Sequence, residues 1–317
     1  MTDALRLLFL CGGRRVELLR RFRAALSAHG GGSLFITDTT RHPASSFVAD
    51  QCYLVPPCSD LDAFADAVAH LCTSNAISAI IPLRCAAIRA IPAIRSRTTT
   101  TIICADNRSI AICTDRIATA AYIAGRGVPT PEVIYGPTPR DLPLFVRPRH
   151  GEGGAACGKL MTPAMLAESL AQENTVFTRY VPGREFSVDC YWDFSHRLVG
   201  MIPRERLRVR AGEVERSVTR QAEALAEACR TVCGGLRIVG PCNIQAIESS
   251  GVYYITEVNL RFGGGATLAI EAGLHVPTWL MSELRGEALC PMIQPRWGLA
   301  MARYDSEFYF LAQGEEP

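Results

Sequence analysis

Over its first hundred residues the chain alternates short apolar runs with amphipathic stretches, and this alternation constrains the fold more than any other feature. Leu7–Cys11 predicts a buried strand, Gly12-Gly13 a turn, and Arg15–Ala28 a helix with Val16, Leu19, Phe22 and Leu26 along one face. Further strands are expected at Leu34–Thr37, closing on Asp38, at Gln51–Val55, at Ile77–Pro82 and at Thr101–Cys104. Ser59 with Asp62 forms a capping signature ahead of a helix over Leu61–Cys72. Strands alternating with helices bury their apolar faces as a parallel, doubly wound sheet, so an α/β unit is expected over residues 1–112.

The pattern then changes. Thr114-Asp115 caps a helix running to Ala124, and Gly125, Gly127, Pro129 and Pro131 end it. A strand at Leu144–Arg147, a glycine-rich stretch, a helix opened by Pro163 and a strand at Thr175–Thr178 predict a small antiparallel unit over 113–181. Strands at Glu185–Trp192, Arg197–Ile202, Pro241–Ile247 and Val252–Val258, interrupted by a helix from Val218 to Cys233, predict a larger α+β unit over 182–317. At 317 residues the chain is too long for one small core, and two or three subdomains suit it.

A net charge of +2 gives no footprint for a nucleic acid or an anionic membrane. Leu7–Cys11 is too short for a signal-peptide core or a membrane span. Thirteen cysteines without framework spacing read as reduced, mostly buried thiols in a cytoplasmic protein. Cys229 and Cys233 lie one helical turn apart with no second ligand pair, which suits a packed helix face better than zinc. Lys159 is the only lysine, so 32 of the 33 basic residues are arginine.

The chemistry concentrates in Tyr254–Phe262. Side chains alternate along a strand, so Ile255, Glu257, Asn259 and Arg261 share one face while Tyr254, Val258 and Leu260 take the other. A carboxylate, an amide and a guanidinium in a row are costly to bury in a core. They suit hard oxygen ligation of magnesium beside a cation that neutralises phosphate. If Ser249-Ser250-Gly251 forms a three-residue hairpin loop, Gln245 joins that face as a third oxygen ligand; a two-residue turn puts it on the other. A solvent-exposed polar face is the plain alternative. Gly263-Gly264-Gly265 favours a ligand, because it lets backbone approach closely.

Glu257–Gly265 resembles the E-x-N-x-R-[FG]-G-G signature of the ATP-grasp superfamily, most closely its carbamoyl-phosphate-synthetase-like branch. The resemblance runs from Gly12–Arg15 to Arg303-Tyr304, with its longest stretches at Gly127–Pro131, Phe145–Arg149, Pro182–Asp189 and Gly240–Gly265. It implies a pre-ATP-grasp (Rossmann-like) α/β domain followed by an α+β ATP-grasp fold. It also implies ATP with magnesium, or manganese as an alternative ion. Gln245, Glu257 and Asn259 then match the metal ligands and Arg261 the contact to the transferring phosphoryl group. Arg116 and Arg147 match the basic residues on the ATP phosphates, where many members have lysine. Gly151, Gly153 and Gly154 fall in the matching flap, whose amides close over phosphates. Tyr180 and Val181 lie in the stretch that meets adenine through its backbone, although Thr178 and Arg179 supply no glutamate there. Glu185 matches the ribose-binding acid.

Other features stay open at this level. Gly153, Gly158 and Lys159 nearly spell a P-loop, but Leu160 stands where a magnesium-binding hydroxyl belongs, and Thr162 with Pro163 starts the helix too late. Arg204, Arg206, Arg208 and Arg210 alternate on one strand face, where Glu205, Glu213 and Glu215 could pair with them as a solvated surface. The functional alternative puts Arg204 or Arg206 at the acyl phosphate. Arg14 and Arg15 invite a substrate anion at a helix start or serve a plain helix surface. Cys157, with His150 alone beside it, gives little support to a nucleophile. The resemblance implies an ATP-dependent ligase joining a small-molecule carboxylate to an amine, with a homodimer as a frequent assembly. An acyl-phosphate-forming kinase-like enzyme and a nucleotide-binding module without turnover are the rivals.

Overall fold

The computed structural model describes residues 4–151, 157–210, 212–292 and 294–311. Its first sheet joins β1 (Leu5–Leu10), β2 (Gly32–Asp38), β3 (Gln51–Leu54), β4 (Ala79–Pro82) and β5 (Thr101–Ile102), all parallel, in the order β3-β2-β1-β4-β5. Leu7 and Phe9 of β1 pack toward α1 (Val16–Ala28). Leu8 and Leu10, on the opposite face, pack toward α2 (Leu61–Ser74) and α3 (Cys85–Arg95). Burial on both faces is what a run of consecutive apolar residues encodes. The cap of α2 differs from expectation. Asp60, not Ser59, accepts from the Ala63 amide at 3.2 Å, because the helix begins immediately after it.

Two short helices, α4 (Asn107–Cys113) and α5 (Arg116–Gly125), lead into a four-stranded antiparallel sheet. It contains β6 (Val133–Ile134), β7 (Leu144–Pro148), β8 (Gly158–Leu160) and β9 (Thr175–Arg179) in the order β6-β9-β7-β8, with α6 (Pro163–Leu170) between β8 and β9. The remainder builds a six-stranded antiparallel sheet. Its strands are β10 (Arg184–Trp192), β11 (Leu198–Arg210), β12 (Glu213–Thr219), β13 (Gly240–Ser249), β14 (Val252–Asn259) and β15 (Ala300–Ala302), ordered β14-β13-β10-β11-β12-β15. Helix α7 (Glu223–Cys233) lies between β12 and β13, and α8 (Ala266–Glu271) and α9 (Val276–Leu284) follow β14.

The expected helix over Val218–Cys233 is shorter at its start. Val218 belongs to β12, paired with Ala300 of β15, and the helical face consists of Leu225, Ala226, Cys229, Val232 and Cys233. Cys229 and Cys233 are both buried in the core, as a packed face requires. All thirteen cysteines are free. Among the described residues no helix is long and apolar enough to cross a membrane.

The start of α5 bears directly on the site. Asp115 accepts from the Ile117 and Ala118 amides and receives the Arg149 guanidinium at 2.6 Å, so one carboxylate ties the helix to the strand end after β7. Burial alone would raise its pKa, but Arg149 and those amides hold it below the usual carboxylate range. Asp115→Ala is expected to cost about 1–2 kcal/mol at neutral pH. The carboxylate's contribution is complete above its unfolded-state pKa and is lost as pH falls through the lower folded-state value. The gap between variant and wild type in urea unfolding should therefore narrow in acid. A constant gap from neutral pH into strong acid would show that the ionised carboxylate is not the stabilising group.

Candidate active site

Strand register places the polar residues. Glu257 stands opposite Gln245, Gln245 opposite Ser187, and Ser187 opposite Arg204, a single row across β14, β13, β10 and β11. One pleat along, Asn259, Asn243 and Asp189 form a parallel row. On the other side Glu185 meets Arg206 at 2.9 Å. The opposite face of these strands carries Phe186, Val188, Ile244, Ala246 and Val258, all buried in core. Sheet alternation alone thus collects the polar groups on one surface.

The route by which Gln245 reaches that surface differs from expectation. Ser249 pairs with Val252, so the turn has two residues, Ser250 and Gly251, both at positive φ (51° and 83°). That turn by itself would put Gln245 on the wrong face. A bulge between Gln245 and Ala246 then lets β14 carry one extra residue, since Ala246 pairs with Ile255 while Gln245 pairs with Glu257. The slip restores Gln245 to the face of Glu257 and Asn259. It also moves Ile255 to the core, where it is fully buried, rather than beside Glu257. Arg261 lies beyond the end of β14, in the segment after Asn259.

The row floors a cleft of about 900 Å³ between the two antiparallel sheets. One end is lined by Phe145, Thr178, Tyr180, Val181 and Ile247, a largely apolar slot. Lys159 lies 4.0 Å above the Tyr180 ring, which places it on a strand beside that slot and not at the head of a P-loop helix. Arg179 turns outward to Glu132 at 3.6 Å. Gly151 has φ of 108° and its carbonyl accepts from Arg116 at 3.1 Å. Gly153 and Gly154 lie outside the described residues.

Each of the three expected metal ligands has an oxygen that meets a donor. Arg116 and Arg147 reach Glu257 Oε1 at 3.3 and 3.2 Å, and Asn259 Nδ2 donates to Oε2 at 3.3 Å. Arg206 donates to Gln245 Oε1 and Arg261 to Asn259 Oδ1, both at 3.3 Å. Burial works against the Glu257 charge, yet Arg147 and Arg116 hold its carboxyl below the usual range. Burial likewise lowers Arg147 and Arg206, with Glu257 and Glu185 opposing it. An all-oxygen donor set of one carboxylate and two amides suits a hard dication. The guanidinium groups stand where positive charge is needed when that ion is elsewhere, so the residues present fit magnesium.

Arg204 is only 1% exposed. Its Nε donates to Asp189 at 2.7 Å, and the other Asp189 oxygen accepts from Asn243 Nδ2 at 2.7 Å. This cluster explains the glycines that follow Phe262. A Cβ on Gly263 would lie 2.5 Å from Asn243 Nδ2, and one on Gly265 would lie 2.7 Å from an Arg204 nitrogen. Asp189, Asn243 and Ser187 were not singled out from the sequence, although period-two alternation from Glu185 and Gln245 reaches all three. The arginine run divides: Arg204 and Arg206 line the cleft, whereas Arg208 and Arg210 are exposed and pair with Glu215 and Asp305. Bulges after Arg206 end the shared face. Arg14 is likewise exposed, toward Asp305, while Arg15 lines the cleft beside Glu213. Cys157 lines the cleft too, but His150 Nδ1 engages the Thr114 carbonyl at 3.0 Å.

A family model described as "ATP-grasp in the biosynthetic pathway with Ter operon" matches residues 171–305. One described as "PylC-like, N-terminal domain" matches residues 7–104. The fold is similar to that of N5-carboxyaminoimidazole synthetase from Staphylococcus aureus complexed with ADP, at 13% identity and a TM-score of 0.76, over 93% of this chain and 81% of that one. It is similar to L-amino acid ligase from Bacillus licheniformis at 15% identity and a TM-score of 0.69, over 90% and 75%. The biotin carboxylase domain of the Hydrogenobacter thermophilus 2-oxoglutarate carboxylase matches at 13% identity and a TM-score of 0.72, over 94% and 74%. The ATP-grasp model spans strands β10 to β15 of the cleft, so this part of the chain is similar to an ATP-grasp domain, and the fold is shared with these enzymes over 90% or more of the chain.

Proposed function

We propose that the protein is an ATP-dependent carboxylate–amine ligase of the carbamoyl-phosphate-synthetase-like branch. The row Arg204, Ser187, Gln245 and Glu257, with a guanidinium donor on an oxygen of each metal-ligand candidate, is the observation that carries this reading. ATP lies with its adenine in the slot at Tyr180 and Val181 and its ribose on Glu185. Arg116 and Arg147 exchange Glu257 for the phosphates, beside the backbone at Gly151. Gln245, Glu257 and Asn259 would hold magnesium, or manganese in its place, and the ion would withdraw charge from the γ-phosphoryl group. Arg261 and Arg204 stabilise transfer of that group from ATP to a carboxylate oxygen, releasing ADP. A neutral amine then attacks the acyl carbon, phosphate leaves and the nitrogen loses a proton. The contribution of the protein is positioning and charge stabilisation.

Sheet composition supports three units, at 1–112, 113–181 and 182–317. Thirteen free thiols support a reducing, cytoplasmic setting, and a homodimer fits the family resemblance.

The test supplies ATP, magnesium and a panel of carboxylates with hydroxylamine in place of the amine. Hydroxamate together with equal ADP is the expected product. ATP binding without ADP across the whole panel would establish the module without turnover. Acyl phosphate released to solution, with no amine consumed in a paired screen, would establish the kinase-like enzyme.

A further inference from the structure

Two thiols meet outside the cleft. Cys11 Sγ lies 3.6 Å from Cys58 Sγ, although 47 residues separate them along the chain. Both are half-buried, which leaves them open to a small oxidant. Cys233 and Cys242 also meet, but each is 1% exposed and sealed in the core. Cys11 follows β1 directly and adopts a φ of 61°, a left-handed backbone that glycine takes readily and residues with side chains avoid. Its neighbours hold it there. The Cys11 and Gly12 amides donate to Thr37, and the Gly13 amide donates to Asp38 at 3.0 Å. A Cβ on Gly12 would lie 2.6 Å from Ser45 Oγ, so this turn has little room to shift. A strained conformation held this firmly, and carrying a thiol, points to a use for the sulfur.

Cys58 stands on a different kind of segment. It lies between β3 and α2, with Pro57, Ser59 and Asp60 exposed around it. The hydrogen bond with Cys58 and burial push the Cys11 thiol up, and nearby Arg84 opposes them only in part. Cys11 therefore stays protonated, and Cys58, on the outer segment, is the sulfur that meets an oxidant first. Two routes lead from the pair into the cleft. Cys11 stands just ahead of Arg15, which lines the cleft, on the turn that opens α1. Arg84 precedes Cys85, whose Sγ donates to Asn259 Oδ1, an oxygen of the proposed metal site, at 3.6 Å.

We propose that Cys11 and Cys58 form a reversible disulfide that impairs the cleft, a redox switch built into the α/β unit. A hydroperoxide transfers one oxygen to the Cys58 sulfur, giving a sulfenic acid and releasing water or an alcohol. The Cys11 thiol then attacks that sulfur, the S–O bond breaks, and water leaves with the thiol proton. Each sulfur gives up one electron, and the O–O bond of the peroxide takes both. A disulfide needs the two sulfurs about 1.5 Å closer than they stand. Closing that gap loads the strained turn from which α1 and Arg15 follow. In a reducing compartment the bond persists only while oxidant is supplied, which suits a sensor and not a staple. The bond itself is independent of the ligase reading, whereas its effect on turnover rests on that reading.

The experiment treats the full-length protein, reduced and then freed of reductant, with graded hydrogen peroxide. Peptide mapping without reduction should show Cys11 linked to Cys58 before the other thiols are modified. Hydroxamate formation should fall by about tenfold, since small displacements near reacting groups cost rate steeply, and dithiothreitol should restore it. Cys58→Ala should match reduced wild type in turnover and keep that rate in peroxide, and Cys11→Ser should behave alike. Three results would each overturn the inference and leave the ligase reading intact: no linked peptide once other half-buried thiols are oxidised, full turnover in the linked protein, or equal loss of turnover in Cys58→Ala. If the reduced protein forms hydroxamate from no acid, the ligase reading fails, and the switch is read from thermal shift with ADP and magnesium. That shift should shrink in linked wild type and not in peroxide-treated Cys58→Ala. An equal shift in the two would overturn the switch as well.

Discussion

Glu257→Gln is expected to lower ATP-dependent hydroxamate formation by on the order of 10²–10³-fold. The same change is expected to destabilise the ligand-free protein by about 3 kcal/mol. The two effects have one origin. Arg116 and Arg147, with side chains only 10% and 9% exposed, both reach Glu257 Oε1. Glutamine keeps the shape and removes the charge, so two buried guanidinium groups lose their anionic partner. It also replaces the only carboxylate among the three proposed magnesium ligands with a neutral amide. Urea unfolding with and without ADP separates the contributions. Phosphates give Arg116 and Arg147 new partners, so ADP should stabilise the variant by more than it stabilises wild type. Full turnover in the variant would remove Glu257 from the metal site. An equal ADP effect in both proteins would remove the two arginines from the phosphates.

The same strand shows how far sequence reasoning reaches. Alternation is local and geometric, so the shared face of Glu257 and Asn259 follows from spacing alone. The bulge at Thr256 is an extra residue accommodated by pairing with β13, and nothing in the spacing announces it. Spacing alone therefore puts Ile255 on the face of Glu257, whereas the bulge turns it into the core. Gln245 joined the right one although the expected loop length was wrong, because a two-residue turn and one bulge together shift the register as a three-residue loop would. Val218 misled for a related reason. Its place in β12 depends on β11 and β15, the latter some eighty residues away, whereas the helical periodicity after Glu223 is visible locally. Ordered motifs single out Glu185, Arg147 and Arg116, and in the fold the first two line the cleft while Arg116 reaches Glu257. Asn243 needed only the same alternation carried two residues from Gln245, and Asp189 four residues from Glu185. The meeting of Asp189 with both Arg204 and Asn243 needed the register of three strands, which the sequence does not contain.

The Asp189–Arg204 pair allows stability and chemistry to be separated. Asp189 is 3% exposed and Arg204 1%, with Gly263 and Gly265 packed close against them. Asp189→Leu should cost about 3–5 kcal/mol, because it strands a buried guanidinium, and Arg204→Met should cost a similar amount by stranding the carboxylate. Combining them removes both charges and restores an apolar contact of similar volume. The double variant should recover most of the loss, short by about 1–2 kcal/mol because Asn243 Nδ2 loses its acceptor. Turnover should not recover with stability. If Arg204 contacts the reacting carboxylate, the double variant folds, binds ADP and forms hydroxamate at a rate lower by on the order of 10²-fold. A double variant that regained both stability and rate would confine Arg204 to holding the glycine segment. The role of a buried cation in the chemistry is thus read from what its loss still costs once the cost of burying it has been cancelled.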